Sequence, residues 1–286
     1  MASTKTSAAD LSPRSPLVPR APRPWAPTRF IRASLWVNGV AVLGTVLAPN
    51  MWPVAAGALA LNHAAITAAG LWPRSRLLGP NLTRLPTSSV LRREIALTLD
   101  DGPDPAVTPV VLDMLDRFST KATFFCIGAK VRRFPELCRE MVRRGHAVEN
   151  HTEQHSHRFS VLGPRGYREE IQAAQESIAS VTGLYPRFFR APAGLRNPFL
   201  EPVLCDLDLQ LASWTRRGFD TIERNPNTVA RRFLTNLQAG DILLLHDRVA
   251  TPAQKGRAVI LEALPKLLEA VRTQGLKPVT LREAVL

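Results

Sequence analysis

The sequence predicts an α/β barrel of parallel strands behind an N-terminal hydrophobic helical hairpin. Three observations carry that expectation. Short apolar runs alternate with helical patterns from about residue 94 to the C-terminus, an alternation that implies parallel pairing with helical crossovers. The chain of 286 residues can hold such a barrel as one domain, since these folds take roughly 200 to 250 residues. Two long apolar stretches, divided by a breaker, precede the first of these strands.

Residues 1–29 are rich in Pro, Ser, Ala and Arg and show no hydrophobic periodicity, so they predict a disordered basic tail. Residues 30–73 hold the apolar stretches Ala33–Ala48 and Val54–Trp72, separated by Pro49-Asn50-Met51-Trp52-Pro53, a breaker with interfacial character. The second stretch matches a bilayer span of about 20 residues; Phe30 and Ile31 extend the first past Arg32, which can snorkel. A membrane hairpin follows, with Asn38, Asn62 and His63 available to bond across it. A cleaved signal peptide fits less well, because the apolar region is too long and too divided and no cleavage site is evident; a single uncleaved anchor and a hairpin buried in a soluble core are the other readings. Residues 74–93 read as a linker and 94–286 as the barrel domain.

Within that domain the expected strands are Ile95–Leu99, Ala122–Ile127, Ala147–Asn150, Arg187–Arg190, Gln210–Trp214, Asp241–Leu245 and Lys277–Thr280. Helical spacing of apolar residues marks Val107–Arg117, Phe134–Arg144, Gly166–Val181, Pro198–Cys205, Thr228–Gln238 and Ala258–Thr273.

The net charge of +13 is unevenly placed: residues 1–93 carry eleven Lys and Arg against Asp10 alone, which leaves only +3 for the remainder. A nucleic-acid surface would put its basic residues on the folded domain among aromatic platforms, whereas here they flank apolar segments. The pattern points to a membrane and away from nucleic acid. Arginines at both ends of the hairpin favour both ends on the cytoplasmic side, which would place the barrel there. Cys126, Cys138 and Cys205 are an odd number without close pairing, read as core residues rather than a disulfide framework or thiolate metal site.

The chemistry lies in Thr98-Leu99-Asp100-Asp101-Gly102-Pro103 and, about fifty residues on, His151-Thr152-Glu153-Gln154-His155. A catalytic zinc commonly takes three His or carboxylate ligands and leaves a fourth position for water, whose pKa it lowers to roughly 7. One Asp and two His meet that need. Successive side chains on a strand point oppositely, so only the strand's end lets both carboxylates approach one site, one to bind and the other to act as base. Either motif alone has an ordinary reading, a turn for Asp-Asp-Gly-Pro and a polar helix face for the histidines. Asp100, Asp101, His151, Arg190 and His246 each end or follow an expected strand, where barrel sites collect.

With these motifs in this order, the sequence resembles the polysaccharide deacetylase family, also called carbohydrate esterase family 4 or the NodB-homology domain, over about residues 94–286, two thirds of the chain. Five runs carry the resemblance: Thr98–Gly102, His151–His155, Arg190-Ala191-Pro192-Ala193-Gly194, Trp214–Asp220 and Leu243-Leu244-Leu245-His246. It implies a distorted (β/α)7-type barrel and a metal-dependent hydrolase that removes an N-acetyl or similar N-acyl group from an amino-sugar glycan or membrane glycolipid. Asp100 would be the general base, Asp101, His151 and His155 the metal ligands, and Arg190 the partner of Asp100. His246 would be the general acid, oriented by Asp220, with Leu244 lining an acetyl pocket and Ala193 and Trp214 also facing substrate. The donor set suits zinc and also admits cobalt, nickel or other divalent ions. An inner membrane of bacterial type is the location the resemblance implies.

Two positions depart from the family pattern. Ala193 stands where a tyrosine is usual, and Thr221 follows Asp220 where a tryptophan is usual, so two aromatic walls are missing and the groove is expected to be more open. The Arg216-Arg217 pair beside it reads either as a solvated face or as a contact for an anionic substrate such as a lipid-linked sugar phosphate. A non-catalytic carbohydrate-binding protein and an amidase acting on non-sugar substrates are the competing functions.

Overall fold

The computed structural model describes residues 22–248 and 258–285. The expected tail therefore lies outside the described residues up to residue 21; residues 22–28 run without regular structure along the domain, where Arg23 N–H donates to Cys205 O at 2.9 Å and its guanidinium pairs with Asp208 at 3.3 Å.

Helices α1 (Arg29–Leu47) and α2 (Trp52–Leu71) form the hairpin, joined through a 3-10 turn at Pro49–Met51. Thr28 caps α1 by accepting from Ile31 N at 3.1 Å. Both helices are long and apolar enough to cross a membrane; α1 alone, at 19 residues, spans about 28 Å. Leu35, Trp36, Val40, Val46 and Leu61 point away from the protein, the reverse of a hairpin buried in a soluble core. Asn62 donates to Asn38 Oδ1 at 2.9 Å across the pair, as expected, whereas His63 bonds within its own helix to Leu59 O at 2.8 Å.

After the short helix α3 (Thr87–Leu91), the barrel runs β1 (Glu94–Asp100), α4 (Thr108–Arg117), β2 (Thr123–Cys126), α5 (Gly128–Arg133), α6 (Pro135–Arg143), β3 (Ala147–Asn150), α7 (Pro164–Thr182), β4 (Phe188–Phe189), α8 (Leu200–Asp206), β5 (Gln210–Leu211), β6 (Arg216–Arg217), α9 (Pro226–Leu234), β7 (Ile242–His246), α10 (Ile260–Thr273), β8 (Lys277–Val279) and α11 (Leu281–Val285). All pairs are parallel, in the order β5-β4-β3-β2-β1-β7-β6, with β8 on the opening residues of β1. The seven expected strands are present, and the expectation missed one: Arg216–Arg217 is an eighth, too short and too polar to show as an apolar run.

Alternation of side chains separates two cores. On β1, β2 and β7, Leu97, Leu99, Phe124, Cys126, Leu243 and Leu245 face outward onto the helices, while Ala96, Phe125, Ile242 and Leu244 face the barrel interior. Helix α10 shows the matching period: Ile260, Ala263, Leu264, Leu267, Leu268 and Val271 are its buried face. Cys126, Cys138 and Cys205 are all buried and unbridged.

The segment expected to be a plain linker is part of the barrel wall. Leu82 pairs with Ala212, Leu82 N donates to Leu211 O at 2.9 Å, Ser213 N donates to Leu82 O at 2.9 Å and Leu85 N to Gly240 O at 2.8 Å. Residues 82–85 thus bridge the opening between the two edge strands, β5 and β6, with Thr215 Oγ1, just before β6, donating to Thr83 O at 2.8 Å. This irregular stave carries its hydrogen bonds through single residues, which leaves no strand signature in the sequence.

Candidate active site

Asp100 is the last residue of β1 and lies beside His246, the last of β7, in register. Its interior-facing position follows from the alternation that puts Ala96 and Thr98 inside. Asp101 then adopts φ 75°, a left-handed conformation that Asp tolerates better than most residues, and this turns the second carboxylate back toward the first. Gly102 follows because space has run out: a Cβ there would stand 2.3 Å from Asp247 Oδ2.

His151 and His155 sit on the loop after β3, not on a helix face, and the loop reaches its shape through Thr152 at φ 66° and His155 at φ 52°. Ala193, at φ 54°, is a fourth non-glycine residue in this region. Strained backbone gathered at one place is characteristic of functional sites. Gly194, at φ 73°, has no room for a side chain, since a Cβ would lie 2.5 Å from Pro73 and 2.8 Å from Trp214.

Asp101, His151 and His155 converge, each offering one ligand atom within 4.8 Å of the others. Their fit to a divalent cation can be tested on the donors themselves. His151 Nδ1 faces the Arg190 carbonyl at 2.8 Å, so Nδ1 carries the proton and Nε2 presents a lone pair to the site. Asp101 Oδ1 is buried without a hydrogen-bond donor, yet His151 Nε2 lies 3.4 Å and His155 Nε2 3.1 Å from it. Burial and the neighbouring His151 push His155 down to about 4, leaving it a neutral donor at ordinary pH. Burial pushes the Asp101 carboxyl up, but the His151 ring beside it, with smaller contributions from His246 and from His155 once that ring is protonated, outweighs this and holds the group far below the usual carboxylate range. The set fits a divalent ion.

Arg190 is among the most buried side chains of the described residues. It donates from Nε to Ala212 O at 3.1 Å, from Nη1 to Thr98 Oγ1 at 2.8 Å and Asp100 Oδ1 at 2.6 Å, and from Nη2 to Ser213 O at 2.9 Å, with the Phe125 ring 4.0 Å beneath it. The guanidinium, just past β4, ties the end of β1 to the residues after β5 and fixes the orientation of the Asp100 carboxylate. On the other wall, Asp220 grips His246 twice, accepting from its backbone N at 2.8 Å and from ring Nδ1 at 2.9 Å. That leaves Nε2 to face the pocket. Burial lowers the His246 imidazole pKa, but Asp220, then Asp100 and Asp101, more than offset this and raise it above the ordinary histidine value.

A protonated His246 is the form able to give up a proton, and the raised pKa extends that form to higher pH. Asp220→Asn removes the largest raising influence, so the alkaline limb of the pH–rate profile is expected to move to lower pH by about one unit or more. A limb left in place would show that His246 does not set it.

The groups surround a pocket of about 270 Å³ that Ala193, Trp214 and Leu244 also line. The sequence reading missed two neighbours. Arg248 Nε lies 2.8 Å from Asp101 Oδ2, and buried Asp247, its carboxyl pushed up to about 7 by desolvation, accepts from Thr108 Oγ1 at 2.6 Å. Both follow His246 directly, the only signal the chain offers. The arginine pair divides: Arg216 is tied to Asp241 and to the Thr235 and Asn236 carbonyls, while Arg217 lines the pocket.

A family model described as polysaccharide deacetylase matches residues 88–212. A peptidoglycan-N-acetylglucosamine deacetylase of Bacillus cereus is 32% identical over 191 residues, covering 66% of this chain and 86% of that protein. A chitooligosaccharide deacetylase of Azorhizobium caulinodans is 32% identical over 188 residues, covering 63% and 89% respectively. Among solved structures, a peptidoglycan N-acetylglucosamine deacetylase in complex with 4-naphthalen-1-yl-N-oxidanyl-benzamide superposes with a TM-score of 0.64 at 27% identity, covering 72% of this chain and 92% of that one.

Proposed function

The chain belongs to the polysaccharide deacetylase family of carbohydrate hydrolases, and we propose that it is a membrane-anchored, metal-dependent enzyme that removes the N-acetyl or a similar N-acyl group from an amino-sugar glycan or membrane glycolipid. One observation carries this reading: Asp100 held by Arg190 and His246 held by Asp220 end adjacent strands, beside the Asp101–His151–His155 cluster, in one pocket. Recognition alone needs neither a base nor an acid, still less a partner to orient each of them.

A divalent ion held by Asp101, His151 and His155 would polarise the amide carbonyl and acidify the attacking water. Asp100 accepts the proton of that water. Its carboxylate keeps one geometry because Arg190 holds it at 2.6 Å. Ala193 lines the same pocket, and its backbone amide would donate to the developing oxyanion. His246 then protonates the departing amine through Nε2, while Asp220 stabilises the imidazolium. Leu244 lines the pocket and would pack against the acyl group.

The outward apolar faces of α1 and α2 support anchoring in a membrane. Arginines flanking the hairpin favour a cytoplasmic site, where a glycolipid would be the substrate, whereas relatives named for peptidoglycan and chitooligosaccharide favour a glycan. A reporter fused after Leu286 decides between them: a periplasmic C-terminus overturns the cytoplasmic placement. The reaction itself is tested by acetate release from chitooligosaccharides and from membrane glycolipids, with and without a chelator. Chelation is expected to abolish release and added zinc to restore it, and zinc should raise the thermal midpoint of the native protein but not of His155→Ala. Metal binding without release from any substrate would favour a carbohydrate-binding protein instead.

A further inference from the structure

We propose that Arg217 binds the phosphate of a lipid-linked amino sugar, so that the substrate carries an anion next to the acylated ring; this rests on the deacetylase reading above. Arg217 lines the pocket, its guanidinium 5.8 Å from the Trp214 ring and 4.9 Å from the Phe219 ring. Its Nε is buried without an acceptor, and no carboxylate among the described residues pairs with it. Nearby arginines are otherwise engaged: Arg190 with Asp100, Arg232 with Glu223 at 3.1 Å and Arg248 with Asp101. A guanidinium held by two aromatic faces and lacking a counter-ion is poised to take an oxyanion, and its planar donors suit phosphate. Ala193 and Thr221, which stand where the family pattern has further aromatic residues, line the same pocket.

The anion's source follows from the hairpin. The neighbours of two lining residues, Leu195 and Trp214, are fastened to the end of α2 and the chain leaving it: Arg196 N donates to Gly70 O at 3.2 Å, Ser213 Oγ donates to Pro73 O at 2.8 Å, and Arg74 Nη1 donates to Thr215 O at 3.2 Å. Thr28, at the start of α1, donates to Leu77 O at 2.6 Å. The pocket walls thus meet the hairpin where it would leave the bilayer, at the depth of the phosphate joining a sugar to a membrane lipid. A carboxylate on a glycan offers the same chemistry without that placement.

The test compares kcat/KM for three probes: polyprenyl-diphosphate-linked N-acetylglucosamine in detergent, glycan strands containing N-acetylmuramic acid, and chitotetraose. Wild type should favour the phosphate-linked probe. Arg217→Met, which keeps the apolar stem, should lower its ratio to chitotetraose at least tenfold, and Arg217→Lys should recover part of the loss. A loss confined to the muramic acid strands overturns the lipid phosphate, and an equal effect on all three overturns anion recognition. Binding of the same probes to metal-loaded Asp100→Asn separates this from the reaction: Arg217-dependent binding without turnover in wild type refutes the deacetylase reading alone, while binding indifferent to Arg217 refutes the proposal.

Discussion

Asp100→Asn is expected to lower kcat by about 10³-fold, within the range that a positioned general base contributes. The substitution is close to isosteric, and the amide oxygen can still accept from Arg190 Nη1 where the carboxylate now does at 2.6 Å. What disappears is the basicity. The three groups proposed to hold the metal remain, so metal content measured beside activity should stay near that of the wild type. Leaving Arg190 without its counter-charge should also lower the thermal midpoint, a separate effect from the catalytic loss. Activity within tenfold of wild type in a metal-loaded sample would remove Asp100 from the reaction and leave Asp101 or a water chain as the base.

Replacing Arg190 should cost more in stability than any other single change at the site. Arg190→Met is expected to destabilise the protein by about 3 to 5 kcal/mol, because it leaves a buried carboxylate unpaired. Asp100 and Arg190 are 4% and 1% exposed, so water cannot replace the lost partner. The Ala212 and Ser213 carbonyls and Thr98 Oγ1 lose donors too. Arg190→Lys should rescue little, since an ammonium is a point charge that cannot reach Asp100, Thr98 and the Ala212 and Ser213 carbonyls at once. Urea denaturation of both variants checks this, and a loss below about 1 kcal/mol for Arg190→Met would show that the barrel closes without the tether.

Much of the fold was legible because burial leaves a period. Runs such as Ile95–Leu99 and Asp241–Leu245 are apolar on both faces, as strands between a filled barrel and its helices must be, and the 3–4 spacing in Ala258–Thr273 marks a helix with one buried side. The features that escaped have no such period. β6 is two arginines held by Leu243 and Leu244, α5 lies in a run of mixed polarity, and residues 82–85 serve as a stave through isolated backbone bonds. The disposition of the site residues divides in the same way. Asp100, Asp101, His151, Arg190 and His246 could be placed at strand ends by counting, but Arg248 beside Asp101 and the separation of Arg216 from Arg217 could not.

By itself the sequence determined which chemical groups are present, their order along the chain and the kind of scaffold that carries them, because residue type and hydrophobic period are local properties. The tertiary structure decided which groups face one another. Left-handed backbone at Asp101, Thr152 and His155 turns inward the three groups proposed to hold the metal, Arg190 crosses the barrel to meet Asp100, and the exit of the hairpin is clamped beside Trp214 at Pro73 and Arg74. These contacts join residues up to 140 positions apart or more, and their energies depend on burial and distance, which exist only once the chain has closed.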